Sequence, residues 1–268
     1  MSLLYIILGA VVVFIAFKFN IWLGIGILAA VAAYGIYQYY PTIFITKGNM
    51  AFDKGDEQEA YKWYKKAFDT GRMNVKTKSS YAYLLMRLNK ADEAEQVLDP
   101  IIRVKGLDPK KKNLAKQQRC MVYYRQGRIG EALEEALSLY NDGYKTSNLY
   151  AMLGFFKQLY GDDLEKTLKI CEEAYDYDKD NRDIADNLAM CLYKLGRYEE
   201  AEKISDLVMD NHTSFVEGCY HGAQIAYALG KMDKAKMCLE KISECTRSAM
   251  TTISEEEIEA LKNEVEKA

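Results

Sequence analysis

Apolar residues are concentrated at the start of the chain. Residues 3–17 form an uninterrupted apolar run, residues 18–20 interrupt it, and residues 21–40 form a second run. At about 1.5 Å per residue, helices of these lengths reach roughly 23 Å and roughly 30 Å, and the hydrocarbon core of a bilayer is about 30 Å thick. The pattern predicts a transmembrane hairpin of two helices, about 3–17 and 21–40, so that residues 1–40 contact the lipid bilayer.

The charge distribution favours the same division. The chain has 36 basic and 39 acidic residues, and Lys18 is the only one of them before residue 47. Because the lysines from residue 47 onward outnumber Lys18, the positive-inside rule predicts an integral membrane protein with its water-facing part in the cytoplasm. A cleaved signal peptide is the alternative, but it would need a positive n-region, and no Lys or Arg precedes residue 18.

After the apolar runs, small residues recur at a fixed spacing. In five places a small residue is followed twelve positions later by Ala, and in a sixth place Thr follows after thirteen. A turn former precedes the second member of every pair, five positions earlier in the first five pairs and six in the sixth. This spacing predicts stacked pairs of helices that pack closely at their small residues. The pairs are Gly48 and Ala60, Ala82 and Ala94, Cys120 and Ala132, Ala189 and Ala201, Ala223 and Ala235, and Gly154 and Thr167, with turns at Gly55, Asn89, Gly127, Gly196, Gly230 and Gly161.

The pattern resembles the tetratricopeptide repeat, in which these small residues and the turn glycine recur about every 34 residues. The resemblance implies an all-α fold, a right-handed α-solenoid of about six helix-turn-helix units. Lys47 and Arg119 depart from the family pattern, because an apolar residue is expected at their positions. Residues 109–112 fit as an insertion. The units fit at 41–74, 75–108, 113–146, 147–181, 182–215 and 216–249.

The pattern of apolar and charged positions in residues 250–268 predicts a helix that caps the last unit. Ser254 and Glu257 fit a capping box at its start. Ile258, Leu261 and Val265 form an apolar stripe, and charged residues fill the remaining positions. A terminal helix with one apolar face and one polar face is typical of the end of a solenoid.

The sequence contains no motif that predicts catalysis, a cofactor or a metal site. It has two histidines, His212 and His221, no CxxC pair among six cysteines, and no glycine-rich phosphate loop. The near balance of basic and acidic residues does not favour nucleic acid. We therefore expect no enzyme activity, no cofactor, no bound metal and no small-molecule substrate, and we expect the cysteines to be buried thiols.

The resemblance further implies that the first helix of each unit lines a concave groove that binds a protein or peptide partner. This lining is rich in Tyr and Met, which give large and adaptable contact surfaces. Some of its members are expected to pack against a neighbouring repeat instead. The lining residues are Asn49, Phe52, Tyr83, Met86, Arg87, Met121, Tyr124, Arg125, Phe155, Met190, Tyr193, Lys194, Tyr220, Gln224 and Tyr227.

Two functions are consistent with this organisation. The first is a membrane-anchored scaffold or adaptor that binds its partner through the groove. The second is a constitutive subunit of a membrane protein complex, in which the solenoid is an assembly surface. A permanent subunit should co-purify with its partner from detergent, whereas an adaptor should bind its partner reversibly.

Overall fold

The computed structural model describes residues 3–161, 163–211, 215–245, 247 and 251–268, with the backbone alone for residues 3–8 and 211. Fourteen α-helices and no strand are found among these residues. They form two compact units, one up to Thr77 and one from Lys78 onward. The chain is therefore all-α, as the sequence predicts.

The first unit begins with helices α1 (Leu3–Phe19) and α2 (Ile21–Asp53). Asn20 separates them with an extended backbone, and its side chain accepts hydrogen bonds from the backbone N–H groups of Trp22 (2.8 Å) and Leu23 (3.4 Å). The ring of Phe17 covers Gly24 so closely that a Cβ atom at Gly24 would lie 2.4 Å from it. Helix α1 continues through Lys18 and Phe19, so the interruption predicted over residues 18–20 is confined to Asn20, which caps the start of α2.

Helix α2 does not end at residue 40, where the sequence predicts its end, but continues to Asp53. Pro41 lies inside it and has no N–H to donate to the carbonyl oxygen of Tyr37. A guanidinium nitrogen of Arg72 donates a hydrogen bond to this oxygen instead, and the guanidinium carbon lies 3.8 Å from the Tyr37 ring centroid. The helix therefore passes through Pro41 with its free carbonyl satisfied, and the apolar run and the first repeat share one helix.

Helix α3 (Glu57–Asp69) packs against the last part of α2. A Cβ atom at Gly48 would lie 2.7 Å from the ring of Tyr64, so only glycine allows this approach. Lys47, which stands at an expected apolar position, places its ammonium nitrogen 4.2 Å from the ring centroid of Trp63. This cation–π contact replaces the apolar contact of the family pattern.

The second unit alternates two kinds of helix, and the division between the units falls inside α4. We call the first helix of each pair an A helix and the second a B helix. The A helices are α4 (Val75–Arg87), α6 (Pro109–Arg125), α8 (Ser147–Tyr160), α10 (Arg182–Lys194) and α12 (Val216–Ala228). The B helices are α5 (Ala91–Arg103), α7 (Ile129–Asn141), α9 (Leu164–Tyr177), α11 (Tyr198–Asn211) and α13 (Met232–Ile242), and α14 (Glu255–Lys267) follows them. The predicted boundary between residues 249 and 250 lies outside the described residues.

The small-residue pairs lie where the sequence places them. Both members of all six pairs are buried. The turn residues adopt the left-handed conformation, with φ of 57° at Asn89 and between 71° and 81° at the five glycines. Glycine and asparagine tolerate this conformation best, because other side chains collide with the backbone there. The predicted helix-turn-helix register is confirmed.

Residues 109–112, which fit as an insertion in the sequence, form the first turn of α6, and this helix has 17 residues where α4, α10 and α12 have 13. Asp108 caps this helix by accepting a hydrogen bond from the backbone N–H of Lys111 (3.2 Å). Pro109 occupies the first helical position, where its missing N–H removes no hydrogen bond. Helix α6 thus begins four residues before the predicted unit boundary at residue 113.

Arg119, the second departure from the family pattern, lies on α6 and forms ion pairs with residues of α5 and α7. Its guanidinium nitrogens lie 2.6 Å from Asp99 on α5 and 2.6 Å and 2.9 Å from Glu135 on α7. The hydrogen bonds from Arg119 to Glu135 hold the pKa of the arginine above its usual range. An ion-pair network therefore stands where other repeats place an apolar contact.

The cysteines are free thiols, as predicted, and five of the six are buried. Cys245 is half-buried, and its sulfur lies 3.9 Å from that of Cys219. Cys120 occupies the small-residue position of α6, where burial raises the pKa of its thiol above its usual range. These cysteines act as small apolar side chains in the packing of the helices.

Candidate functional site

The A helices of the second unit enclose a cavity of about 530 Å³. We call it the groove. Its lining comes from α4, α6, α8, α10 and α12, and also from Phe215, Thr251 and Thr252. Capping residues stabilise the start of two of these helices: Thr146 accepts a hydrogen bond at the start of α8, and Asn181 does so at the start of α10. Seven predicted groove residues line it: Tyr83, Met121, Tyr124, Arg125, Phe155, Met190 and Lys194.

One apolar row follows the groove from helix to helix. Tyr83, Met121, Phe155 and Met190 occupy equivalent positions on α4, α6, α8 and α10, and all four line the cavity. Tyr83 keeps 42% of its surface exposed. The two methionines are flexible enough to adapt to different apolar groups.

Tyr124 is a rigid element of the groove. Its ring contacts Phe155 edge-on, with centroids 5.2 Å apart, and lies 5.9 Å from the ring of Phe156, which is fully buried. Burial raises the pKa of Tyr124, and the negative charges of Glu217 and Glu257 add to this effect against the positive charge of Arg125. The hydroxyl is therefore neutral at physiological pH and available as a hydrogen-bond donor.

Side-chain amides fix the spacing of neighbouring A helices. Gln158 donates a hydrogen bond to the backbone carbonyl of Asn187 (2.9 Å), and Asn187 donates one to that of Ala151 (2.8 Å). A similar bond joins Gln118 to Ser79 (3.1 Å). Because these bonds end on backbone atoms, they fix the helices themselves, and the groove surface is organised in advance.

An acid–histidine pair joins α10 and α12 at the groove. His221 Nδ1 lies 2.9 Å and 2.8 Å from the two carboxylate oxygens of Asp186, which is only 7% exposed. A buried carboxylate needs such a partner, because burial without one is costly. Sequence analysis missed this pair, although Asp186 is one of the few acidic residues within an A helix and would have drawn attention as such.

The other charges of the groove differ in whether they have partners. The guanidinium of Arg182 lies 4.6 Å from the ring centroid of Phe215, and Glu217 accepts a hydrogen bond from the backbone N–H of Thr252 (2.8 Å). Within the described part of the chain, Lys194 makes no hydrogen bond and no ion pair. Lys194 is exposed as a residue, yet partial desolvation lowers the pKa of its ammonium group.

Eight predicted groove residues are not part of the cavity lining. Met86 is 3% exposed and belongs to the core. Tyr193, Tyr220 and Tyr227 pack in clusters between helices, and the amide of Gln224 donates to the hydroxyl of Tyr220 (3.4 Å). Arg87 is half-buried on α4. Asn49 and Phe52 belong to the first unit, where Asn49 accepts a hydrogen bond from the hydroxyl of Tyr64 (2.6 Å).

No metal site is evident in the part of the chain that the structure describes, where no three His, Cys, Asp or Glu side chains come together. His212 lies outside the described residues. Helix α2 is long and apolar enough to cross a membrane by its length and composition. Its apolar side chains are largely exposed, with Trp22 at 76% and Ile36 at 70%.

Comparisons with known proteins agree with this architecture. A family model described as tetratricopeptide repeat matches residues 160–213. The comparison with curated proteins returns no significant match.

Solved structures extend the likeness to most of the chain. A tetratricopeptide repeat protein from Parabacteroides merdae is 15% identical, with 84% of this chain and 85% of that chain covered and a TM-score of 0.62. The pilF protein of Pseudomonas aeruginosa is 15% identical, with coverage of 85% and 99% and a TM-score of 0.61. A thermophilic repeat protein of Thermus thermophilus is 15% identical, with coverage of 73% and 100% and a TM-score of 0.58. The chain has the fold of a tetratricopeptide-repeat solenoid.

Proposed function

We propose that the chain is a membrane-anchored scaffold that binds a partner protein or peptide in the groove. The observation that carries this proposal is the groove itself, a cavity of about 530 Å³ with an apolar row across four A helices. Tetratricopeptide-repeat proteins generally mediate protein–protein interactions. Fixed helices and a neutral, rigid Tyr124 mean that little ordering is required when a partner binds.

The chemistry of the groove favours a partner with apolar side chains and a nearby carboxylate. Met121, Phe155 and Met190 offer contacts to apolar groups. Lys194 has no ion-pair partner among the residues that the structure describes, and its partial desolvation strengthens the attraction of a carboxylate. A peptide that carries an acidic residue next to a large apolar residue satisfies both.

The membrane part of the proposal rests on α1 and α2. These helices expose large apolar side chains to their surroundings, which in water would favour aggregation and in lipid would be solvated. We propose that they anchor the chain and that the repeats face the cytoplasm, because lysines follow the apolar run. A cysteine introduced at the exposed Leu207 should resist a membrane-impermeant maleimide in intact cells and react after permeabilisation. Labelling of intact cells would place the repeats on the opposite side.

Photo-crosslinking tests the groove directly. A benzoylphenylalanine at Phe155 in the full chain should crosslink to a partner in the native membrane. The same group at Leu207, 50% exposed on a B helix, is the control and should not. Crosslinks from position 207 but not from position 155 would favour the alternative function, a permanent subunit that uses the solenoid as an assembly surface.

A substitution then measures the contribution of the groove to binding. Tyr124→Ala should weaken binding of the crosslinked partner by at least about 1 kcal/mol, because aromatic anchors commonly contribute that much. Tyr160→Ala is the matched control, since Tyr160 lies on α8, is 61% exposed and is outside the groove. Equal affinities of both variants at unchanged thermal stability would remove Tyr124 from the binding surface.

A further inference from the structure

Residues 251–267, which we call the α14 segment, lie against the groove that we propose for the partner. Thr251 and Thr252 form part of its wall. The backbone N–H and the hydroxyl of Thr252 donate hydrogen bonds to a carboxylate oxygen of Glu217 on α12, at 2.8 Å and 3.3 Å. The chain is thus bound at the groove before α14 begins.

Helix α14 covers aromatic side chains that the sequence assigns to the groove. Leu261 and Val265 are buried in a cluster with Tyr220 of α12, and Ile258 and Tyr227 pack at its edge. Tyr220 retains only 8% of its surface exposed. The same cluster includes Leu239 and Ile242 of α13, so α14 covers the last helix pair. These contacts explain why Tyr220 and Tyr227 are not part of the cavity lining.

Helix α14 packs against α13 and α12, the two helices of the last pair. Burial raises the pKa of Tyr220, and the negative charges of Glu257 and Glu264 raise it further. The negative charge of Glu257 also raises the pKa of Tyr124 on α6, and that of Glu264 raises the pKa of Tyr193 on α10. The negative charges of α14 therefore act on tyrosines of α6, α10 and α12, and Thr251 and Thr252 line the groove just before this helix.

We propose that the α14 segment is an internal ligand of the groove, and that the partner is an acidic amphipathic helix that displaces it. The segment shows the chemistry of such a partner: apolar residues at Ile258, Leu261 and Val265, and six glutamates against two lysines between residues 255 and 267. The groove supplies Lys194, which forms no ion pair within the described ranges, and α12 supplies the tyrosine rings that the segment covers. This inference rests on the proposed function and adds the class of partner and its regulation.

Helix α14 makes few buried contacts and can therefore detach from the helices beneath it more easily than a core helix. Only Leu261 and Val265 are buried among its thirteen residues, whereas eight residues are buried in α10 and in α12. An element with few buried apolar contacts opens at a lower free energy than the core. Opening would expose the apolar surface of α12 without unfolding the helix pairs beneath it.

A labelled peptide of residues 251–268 is the probe for this proposal. It is titrated into the detergent-solubilised full chain, in wild type and in a release variant with Leu261→Ser and Val265→Ser. We expect about tenfold or greater tightening of peptide binding in the release variant, because the internal competitor has been removed. A control variant, Ala260→Ser with Lys262→Ser, changes exposed positions of α14 and should behave as wild type. Equal affinity of wild type and release variant would overturn the proposal.

Hydrogen exchange of the wild-type full chain tests the proposal even where the release variant does not fold. The amides of α14 should exchange faster than those of α12 and α13. Protection of α14 equal to that of α13 would overturn the proposal, because the segment would then be a fixed part of the core. Neither measurement uses a natural partner, so a failed crosslinking experiment at Phe155 and a failed displacement experiment are independent results.

Discussion

The first and fifth repeats have the same internal contact but different beginnings. Gly48 and Ala60 in the first repeat, and Ala189 and Ala201 in the fifth, are buried where their helices meet. The fifth repeat has its own first helix, α10, which begins at the cap Asn181. The first repeat has none, because its first helix is the last part of α2, which begins at Asn20.

This difference teaches that the repeat pattern and the helix boundaries have separate causes. Small residues and a left-handed turn determine how two helices pack within a repeat. A capping residue stabilises the start of a helix, as Asn20 does for α2 and Asn181 for α10. No cap interrupts α2 between Asn20 and the first repeat, so the apolar run and the repeat are one helix. The anchor that we propose would therefore be joined to its first repeat without a flexible linker.

The largest expected loss of stability comes from placing a larger side chain at the small-residue contact that both repeats share. Ala201→Leu should lower the free energy of unfolding by up to about 3 kcal/mol, because Ala201 is fully buried and has no room for a larger side chain. Chemical denaturation in detergent measures this change, with Leu207→Ala on the same helix as the exposed control. An unchanged midpoint would show that the register of the fifth repeat is wrong.

A second prediction compares Arg119 and Lys47, the two charged residues at positions where the repeat pattern expects an apolar residue. Arg119→Leu should cost about 2 kcal/mol, because Glu135, whose side chain is 11% exposed, loses a charged hydrogen-bond donor. Lys47→Leu should cost less than about 1 kcal/mol, since it removes one exposed cation–π contact with Trp63. Thermal unfolding of both variants checks the order, and a larger loss at Lys47 would contradict it.

Arg72 tests the continuity of α2. Arg72→Met should cost about 1.5 kcal/mol, because the carbonyl oxygen of Tyr37 loses the donor that compensates for Pro41. Hydrogen exchange should accelerate at residues 38–45, and Arg72→Lys, which retains a donor, should show a smaller change. Unchanged exchange rates around Pro41 in Arg72→Met would show that the hydrogen bond does not stabilise the helix.

The smallest effect concerns the cap that the fifth repeat has and the first lacks. Asn181→Ala should lower the free energy of unfolding by about 1 kcal/mol, because the first turn of α10 loses its side-chain acceptor. Asn20→Ala removes the equivalent cap of α2 and should leave the exchange of α10 unchanged. The comparison fails if the two substitutions affect α10 equally.

Much of the fold was accessible to sequence reasoning because its determinants are local. The turn residues, from Gly55 to Gly230, adopt the positive φ values that their residue types favour. The end of α2 was misplaced at residue 40, where the apolar run ends, and residues 109–112 were left outside the 34-residue units although they belong to α6. Pro41 lies inside α2, where Arg72 compensates for it, and Pro109 begins α6, where no compensation is needed.

The residues that line the groove were harder to predict from the sequence, because the exposure of a side chain depends on neighbours that are distant in sequence. Tyr124 lines the groove, whereas Tyr193 and Tyr227, at the equivalent positions of α10 and α12, pack in clusters between helices. Nothing local distinguishes these tyrosines. The pair of Asp186 and His221 is 35 residues apart in sequence, and only the packing of α10 on α12 brings it together.

The sequence alone determined the helix-turn-helix units, the small residues at their contacts and the apolar character of α1 and α2. These properties follow from spacing and residue type, which act within one or two turns of a helix. Tertiary structure alone decided which aromatic side chains face the groove, which charges are paired, and where α14 lies. Burial and ion pairing depend on how helices from different repeats meet, and a single periodic pattern is compatible with many such arrangements.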